Sequence, residues 1–351
     1  MSGVRPFGFY AHHHGRGHLS RVAAVCAALG PGECTVATSR PDAVDVLPDG
    51  TDVAALPMDV PPGSPLDVTA GGTLHWAPVH PTSTARTHAI TGWLVDRRPS
   101  VVLVDVSVEV ALTVRLAGVP VVVVRLHGDR SDAPHELAHR VAESIVAPFP
   151  AELEHPSTPA WIRDKTVHSG FVAPPNRPAH PVSAEARPGS VLVAWGRGHP
   201  PPSRAAIDDA AAATPDRTWE MVGPPCPDGD PRRVRHHGWV DDLGVRLASA
   251  DVVVGPPGDG LVADVARAGA RFVAVCEPRP FDEHRHKAQA LASVGAAVAL
   301  DGWPAPAEWP TVLRRAGALE PRSLQSLGVD GADRIGRHLV AVAGVHRGRA
   351  A

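Results

Sequence analysis

Apolar residues recur along this chain with two alternating periods. Short runs such as PFGFYAH, ECTVATS and TDVAALP have the β-rich composition of strands. Between the first two lies LSRVAAVCAALG, which sets Leu19, Val22, Val25, Cys26 and Leu29 on one helical face and stops at Gly30-Pro31. After a Pro/Gly-rich loop near residues 57–72, a helix around Thr84 to Asp96 leads into SVVLVDVS. A second helix, near Val108 to Ala117, leads into VPVVVVRLHG. VVLVDV and VPVVVVRL are almost wholly apolar, as parallel strands covered on both faces must be.

The pattern breaks at residues 173–190, APPNRPAHPVSAEARPGS, which are proline-rich and aperiodic and read as a linker. It then restarts with strands GSVLVAWGRG, TWEMVGPP and VRHHGWV, followed by helix DDLGVRLASA and strand DVVVGPPGDG. Helix LVADVARAGA, strand RFVAVCEP, helix HRHKAQALASVG and strand AAVAL complete the series. The sequence therefore predicts two doubly wound α/β domains, 1–172 and 191–351, facing across a cleft. A closing helix at about 332–346 carries Ile335, Leu339, Val342 and Ala343 at helical spacing and is placed to pack back on the first domain. Ligands of open α/β sheets bind beyond the carboxyl ends of the strands, so the cleft is where chemistry is expected.

Composition narrows the classes. The 351 residues exceed what one core usually supports. Against 37 Asp+Glu there are 34 Lys+Arg, for a net charge of −3, which argues against nucleic acid as the main partner. Cys26, Cys34, Cys226 and Cys276 form no C-x-x-C pair and read as reduced thiols of a cytoplasmic protein. MSGVRPFGFYAHHH has no apolar core of a signal peptide, and no apolar run reaches the roughly 18 residues of a membrane span. Peripheral membrane contact is left open. The 38 prolines, 33 glycines and alanine-rich remainder suggest a GC-rich bacterial genome.

Four loops concentrate polar chemistry. In DVVVGPPGDGLVADVARAG a buried strand ends in a glycine-proline turn and a helix opens near Gly260 or Leu261, a geometry that offers backbone N–H groups to a phosphate. Asp264 lies about one turn further on, where a carboxylate can take two vicinal hydroxyls. The bland alternative is a tight connection with a solvated aspartate. The next strand–helix turn gathers Asp282, Glu283, His284, Arg285 and Lys287, which also fits an ordinary acidic helix start. WGRGHP (195–200) and HHGWVDDL (236–243) follow two further strands.

HHHGRGH, residues 12–18, is the first strand–helix loop. A metal site built from His12, His13, His14 and His18 is not expected: glycines at 15 and 17 oppose a helix, no carboxylate is nearby in sequence, and adjacent strand residues face opposite ways. Asp105 ends the VVLVDVS strand, and Arg125, His127 and Asp129 follow the next one.

These motifs resemble GT-B glycosyltransferases. The resemblance is closest to the family 28-like branch of the N-acetylglucosaminyltransferase that builds the lipid-linked peptidoglycan precursor. That branch carries ADLVISRAGAGTIAEL and then P…ADNHQ..NA..L…GAA, where this chain has ADVVVGPPGDGLVADVARAG and PRPFDEHRHKAQALASVGAAVAL. HGRGHLSR matches its amino-terminal glycine loop, in the form G-x-G-H-x-x-R. The resemblance implies a metal-independent, inverting transfer of a hexose or N-acetylhexosamine from a nucleotide-diphosphate donor, UDP-linked, with no bound cofactor. It places Gly258, Asp259 and Gly260 at the diphosphate, Asp264 at the ribose, and Asp282, Glu283, His284 and Arg285 at the sugar. Gly196, Arg197 and Gly198 become the glycine loop, with Trp239 and Val240 at the base. On the acceptor side it makes His18 the catalytic base, with His14, Gly15, Arg16, Gly17, Asp105 and His127 around the acceptor or diphosphate.

Departures from the pattern are Pro256, Leu261 for a Ser/Thr, Asp264 for a Glu, Arg285 for a Gln and Ala288 for an Asn. They leave two competing readings, a nucleotide-sugar hydrolase or epimerase and a non-catalytic sugar-nucleotide-binding protein. The acceptor, from a lipid-linked sugar to a secondary metabolite, is not legible in the sequence.

Overall fold

A computed structural model describes residues 6–14, 16–59, 68–174, 186–225 and 233–350; of the expected site, Gly15 lies outside the described residues, as does Cys226. Two parallel sheets form the frame. The first contains β1 (Phe7–Ala11), β2 (Cys34–Thr38), β3 (Asp52–Ala55), β4 (Val101–Asp105), β5 (Val121–Val124), β6 (Ser144–Ala147) and β7 (Thr166–His168) in the order β3-β2-β1-β4-β5-β6-β7. The second contains β8 (Arg187–Ala194), β9 (Thr218–Val222), β10 (Arg235–His236), β11 (Ala250–Gly255), β12 (Arg271–Val275) and β13 (Val298–Leu300) in the order β10-β9-β8-β11-β12-β13.

Strand order reverses beside β1 in one sheet and beside β8 in the other. At such a switch point the loops leaving two neighbouring strands diverge and open a crevice. The β1–β4 crevice receives His18, in the first turn of the helix after β1, and Asp105, at the end of β4. The β8–β11 crevice receives the loops that carry Gly196–Gly198 and Gly258. Chain connectivity thus decides which of the predicted residues can meet.

The valine-rich β4, β5 and β11 are buried along nearly their whole length, as fully covered strands should be. β6 and β7 add two strands that the sequence patterning did not separate from the surrounding chain. β8 begins at Arg187, inside the proline-rich stretch read as linker. The last helix, Gly331–Ala350, lies against helix Gly17–Leu29 and sends Ile335, Leu339 and Ala343 fully into the first domain's core. It enters where a Cβ at Gly331 would meet the Phe171 carbonyl oxygen at 2.6 Å, so glycine is required for that approach. Cys26, Cys34 and Cys276 carry free thiols, and no described helix is long and apolar enough to cross a membrane.

Candidate functional site

Helix Gly17–Leu29 starts directly after the histidine loop, with Arg16 as its N-cap residue. Its first turn therefore sets His18 and Arg21 on one face, three residues apart. Asp105, wholly buried at the end of the neighbouring β4, meets both. His18 Nδ1 lies 2.9 Å from Asp105 Oδ1. Arg21 grips the same carboxylate with Nε to Oδ2 at 2.8 Å and Nη2 to Oδ1 at 3.2 Å. A longer contact of 3.4 Å joins Arg21 Nη2 to His18 Nδ1. The shorter carboxylate contact decides the tautomer: Nδ1–H donates to Asp105, and Nε2 keeps its lone pair.

The network crosses to the other domain. Arg21 Nη1 donates to Asp259 Oδ2 at 2.6 Å, and Lys287 Nζ donates to Asp259 Oδ1. Asp259 is the first residue of helix Asp259–Ala268, with Gly258 as its cap, so its carboxylate also faces the positive helix end. Lys287 is almost fully buried and lies 3.4 Å from Glu283 Oε1, and Arg130 approaches Glu283 Oε2 at 3.5 Å from the first domain. One chain of contacts thus runs His18–Asp105–Arg21–Asp259–Lys287–Glu283–Arg130. Burial raises the pKa of Asp105, but Arg21 and His18 outweigh it and hold the carboxyl at about 2. Burial is likewise overcome at Asp259, where Lys287 and Arg21 pull the carboxyl far below the usual range.

The loops of the two domains also touch through backbone. Asp129 N–H donates to the Phe281 carbonyl at 2.8 Å, and the Arg130 guanidinium sits 4.8 Å over the Phe281 ring. Gly128, at φ +110°, allows this: a Cβ there would stand 2.5 Å from the Phe281 oxygen. Phe281 and Asp282 both adopt left-handed φ, 60° and 52°, which costs energy for non-glycine residues and fixes the loop's course. Asp129, Ser131, Asp132, Arg279, Phe281 and Asp282 line an open cavity of about 470 Å³ between the domains.

The remaining expected residues divide by position. Gly260 has open space where a Cβ would project, leaving the helix end approachable. Asp264 is buried one turn into that helix. Gly196, Arg197 and Gly198 form an exposed loop after β8, and Arg197 lies 4.3 Å over the ring of Trp239, half-exposed after β10 beside Val240. His284 is buried and its Nδ1 accepts from Glu277 N–H at 3.3 Å, while burial raises the Glu277 carboxyl. Arg285 points outward to Asp301 at 3.4 Å, with its side chain 53% exposed, away from the other donor-loop residues. Gly17 and Arg16 are exposed, as is His14. His127 is buried against Phe149, its ring nitrogens without hydrogen-bond partners among the described residues; burial and the nearby Lys287 push its pKa well down.

Arg21 and Lys287 are the central side chains that site prediction passed over. Arg21 was legible as the last residue of the G-x-G-H-x-x-R loop, one turn after His18. Lys287 stood in the polar helix start, with no sequence sign that it would be buried.

Two premises behind the expected absence of a metal site also change. Because β1 stops at Ala11, His12–His14 escape strand alternation, and their ligand atoms lie within 4.8 Å of one another. A carboxylate is present as well, since Asp59 arrives from the loop after β3.

No protein-family model matches the chain, and no curated protein matches it. Solved structures do. The calicheamicin glycosyltransferase CalG4 is 17% identical, aligned over 97% of this chain and 98% of that one, with a TM-score of 0.66. The spinosyn rhamnosyltransferase SpnG, complexed with thymidine diphosphate, is 18% identical over 98% and 100%, with a TM-score of 0.64. UGT2 of Phytolacca americana, complexed with UDP-2-fluoroglucose and pterostilbene, is 14% identical over 98% and 100%, with a TM-score of 0.66. The two facing parallel α/β domains of this chain are the GT-B fold.

Proposed function

We propose that this chain is a glycosyltransferase that moves a sugar from a nucleoside diphosphate to an acceptor hydroxyl, with His18 as base. The observation that carries the reading is the His18–Asp105 pair tied through Arg21 to the first residue of the glycine-capped helix. His18 Nε2 takes the hydroxyl proton as the acceptor oxygen attacks the anomeric carbon, and Asp105 steadies the resulting imidazolium. Bond breaking on the opposite face gives inversion. The departing diphosphate is met by the N-terminus of helix Asp259–Ala268, with Lys287 paired to Asp259 behind it.

Asp264 takes the ribose in this reading, and Arg197 with Trp239 borders the base. The donor class is a pyrimidine nucleoside diphosphate sugar, UDP-linked in the first instance. SpnG with thymidine diphosphate and UGT2 with a UDP sugar support that class. The peptidoglycan-precursor branch would bring a lipid-linked acceptor to the membrane face. The neighbours named for spinosyn and calicheamicin favour a small-molecule aglycone instead.

A thermal-shift series across nucleotide sugars tests the donor assignment. Saturation at about 100 times Kd adds about 2.7 kcal/mol of stability, so one UDP or TDP sugar should raise Tm clearly. Asp264→Ala should lose most of that rise. No response to any nucleotide would end the assignment. Donor turnover at full rate without an acceptor would instead indicate a hydrolase.

Asp259 gives a second test. Its carboxylate sits where the incoming diphosphate adds like charge, and unit charges a few ångströms apart repel by several kcal/mol at an effective dielectric near 20. Asp259→Asn is expected to tighten nucleotide binding about tenfold by titration calorimetry. Weaker binding would make Asp259 a donor contact rather than a competitor.

A further inference from the structure

We infer that His12, His13, His14 and Asp59 form a binding site for a divalent transition-metal ion of the zinc class on the acceptor side of the cleft. The site is separate from the proposed donor chemistry and does not depend on it. Beyond Ala11 the chain is no longer a strand, so three successive imidazoles gather rather than alternate: ring centroids are 4.5 Å apart for His12–His13, 4.3 Å for His13–His14 and 5.0 Å for His12–His14. Asp59 joins them because β1 and β3 run parallel and both end at the same edge of the sheet. Trp76 Nε1 donates to the Asp59 carbonyl and fixes that loop.

The separations suit a shared ion better than direct bonding. His13 Nε2 lies 3.5 Å from Asp59 Oδ1, and His12 Nε2 lies 3.9 Å from Asp59 Oδ2. Both are long for hydrogen bonds. Tetrahedral zinc, with ligands at 2.0–2.2 Å, holds its ligand atoms about 3.3–3.5 Å apart, close to the two Asp59 separations. The rings, stacked at 22° for His12–His13 and 17° for His12–His14, turn about their side-chain torsions for the lone pairs to converge. Asp59 Oδ1 is buried without a hydrogen-bond partner among the described residues, an unspent acceptor of the kind a cation satisfies; with Nε2 turned to the ion, His13 Nδ1 keeps the ring proton.

The other described histidine–carboxylate cluster differs in being bonded within itself. In His75–Asp132–His135 both imidazoles already bond the carboxylate, one at 2.6 Å, and Arg130 Nη1 stands 3.0 Å from His135 Nε2. That group is self-satisfied and carries a cation at its edge.

Imidazole with one carboxylate favours zinc, cobalt or nickel over magnesium or calcium, which take all-oxygen sets. Two guanidinium groups border this cluster as well: Arg40 bonds Asp42 at 2.7 and 2.6 Å and donates to the His13 carbonyl at 3.3 Å, and Arg86 bonds Ser39 and Tyr10 at 2.7 and 2.8 Å. Coordination through His12 Nε2 requires its Nδ1–H tautomer, and the exposed 3.2 Å contact from His14 N–H to Nδ1 then gives way. The His12 ring is 5.8 Å from that of His18, which places the ion beside the acceptor rather than at the diphosphate helix.

The test uses the full chain, purified without a polyhistidine tag and stripped with chelator. Cobalt(II) titration should give tetrahedral d–d bands saturating at one equivalent, and zinc should compete them away. His13→Ala with Asp59→Asn should abolish the bands, and His14→Ala, at an exposed position, should weaken binding about tenfold. His75→Ala should leave the titration unchanged. Absence of stoichiometric cobalt or zinc binding, or binding that survives in both the double variant and His14→Ala, overturns the site. If the double variant does not fold, as judged by circular dichroism, His14→Ala alone decides.

Discussion

His18→Ala is expected to lower kcat by about 10²- to 10⁴-fold while nucleotide affinity stays within about twofold. The split follows from where the side chain sits. His18 touches Asp105 and Arg21 in the first domain, while the donor helix begins at Asp259 on the far side of Arg21. Loss of the imidazole removes the proton acceptor but leaves the helix end, Lys287 and Asp264 in place. Asp105→Asn should slow turnover too, because an amide no longer stabilises an imidazolium and need not favour the same tautomer. Initial rates with saturating donor, set beside calorimetric titration of the nucleotide, separate the two quantities. Unchanged kcat in His18→Ala would remove the base from the proposal.

Arg21→Ala is expected to cost about 3–5 kcal/mol of folding stability, a large share of what a domain has. The Arg21 side chain is only 4% exposed and Asp105 is wholly buried, so removing the guanidinium strands a charge where water cannot replace it. Asp259 loses one of its two cations at the same time. Arg21→Lys should recover only part of the loss, since an ammonium cannot span both Asp105 oxygens and still reach Asp259. Pairing Arg21→Ala with Asp105→Asn should recover more by removing the stranded charge. The pH dependence has a definite sign. The folded Asp105 pKa, about 2, lies below the unfolded value of roughly 3.9, so this stabilisation is present above that value and fades as pH falls towards 2. Denaturant midpoints of wild type and Arg21→Ala should therefore converge on acidification. A gap that stays constant from neutral pH to pH 2 would assign the loss to packing instead.

How much of this was readable in the residues themselves varied with the length scale of the cause. Strands such as VVLVDV announce themselves because burial on both faces demands an unbroken apolar run. β6 and β7 do not, being only four and three residues long, with β7 following its helix directly. Arg187-Pro188-Gly189-Ser190 has turn composition, yet joins the strand because Arg187 pairs with Ala250 of β11 and Ser190 with Thr218 of β9, with an irregularity between them. Within the site, the His18–Arg21 face is a property of local helical spacing and was legible. The pairings Arg21–Asp259 and His13–Asp59 join residues 238 and 46 positions apart by way of the tertiary fold, and a single sequence carries no trace of them. Arg285, placed at the sugar by the resemblance, turns to solvent, whereas Asp259, placed at the diphosphate, is gripped by Arg21 of one domain and Lys287 of the other.

Helix Gly331–Ala350 makes the amino-terminal lobe discontinuous in sequence, because Ile335, Leu339 and Ala343 complete an interior that begins with Phe7 and Phe9. On the ribosome, that interior stays open until Gly331–Ala350 emerges, so the first lobe is completed only after the second has been synthesised. A gene fragment stopped at the inter-lobe connection would leave this apolar seam uncovered, and a functional split of the protein has to carry its tail along with its head.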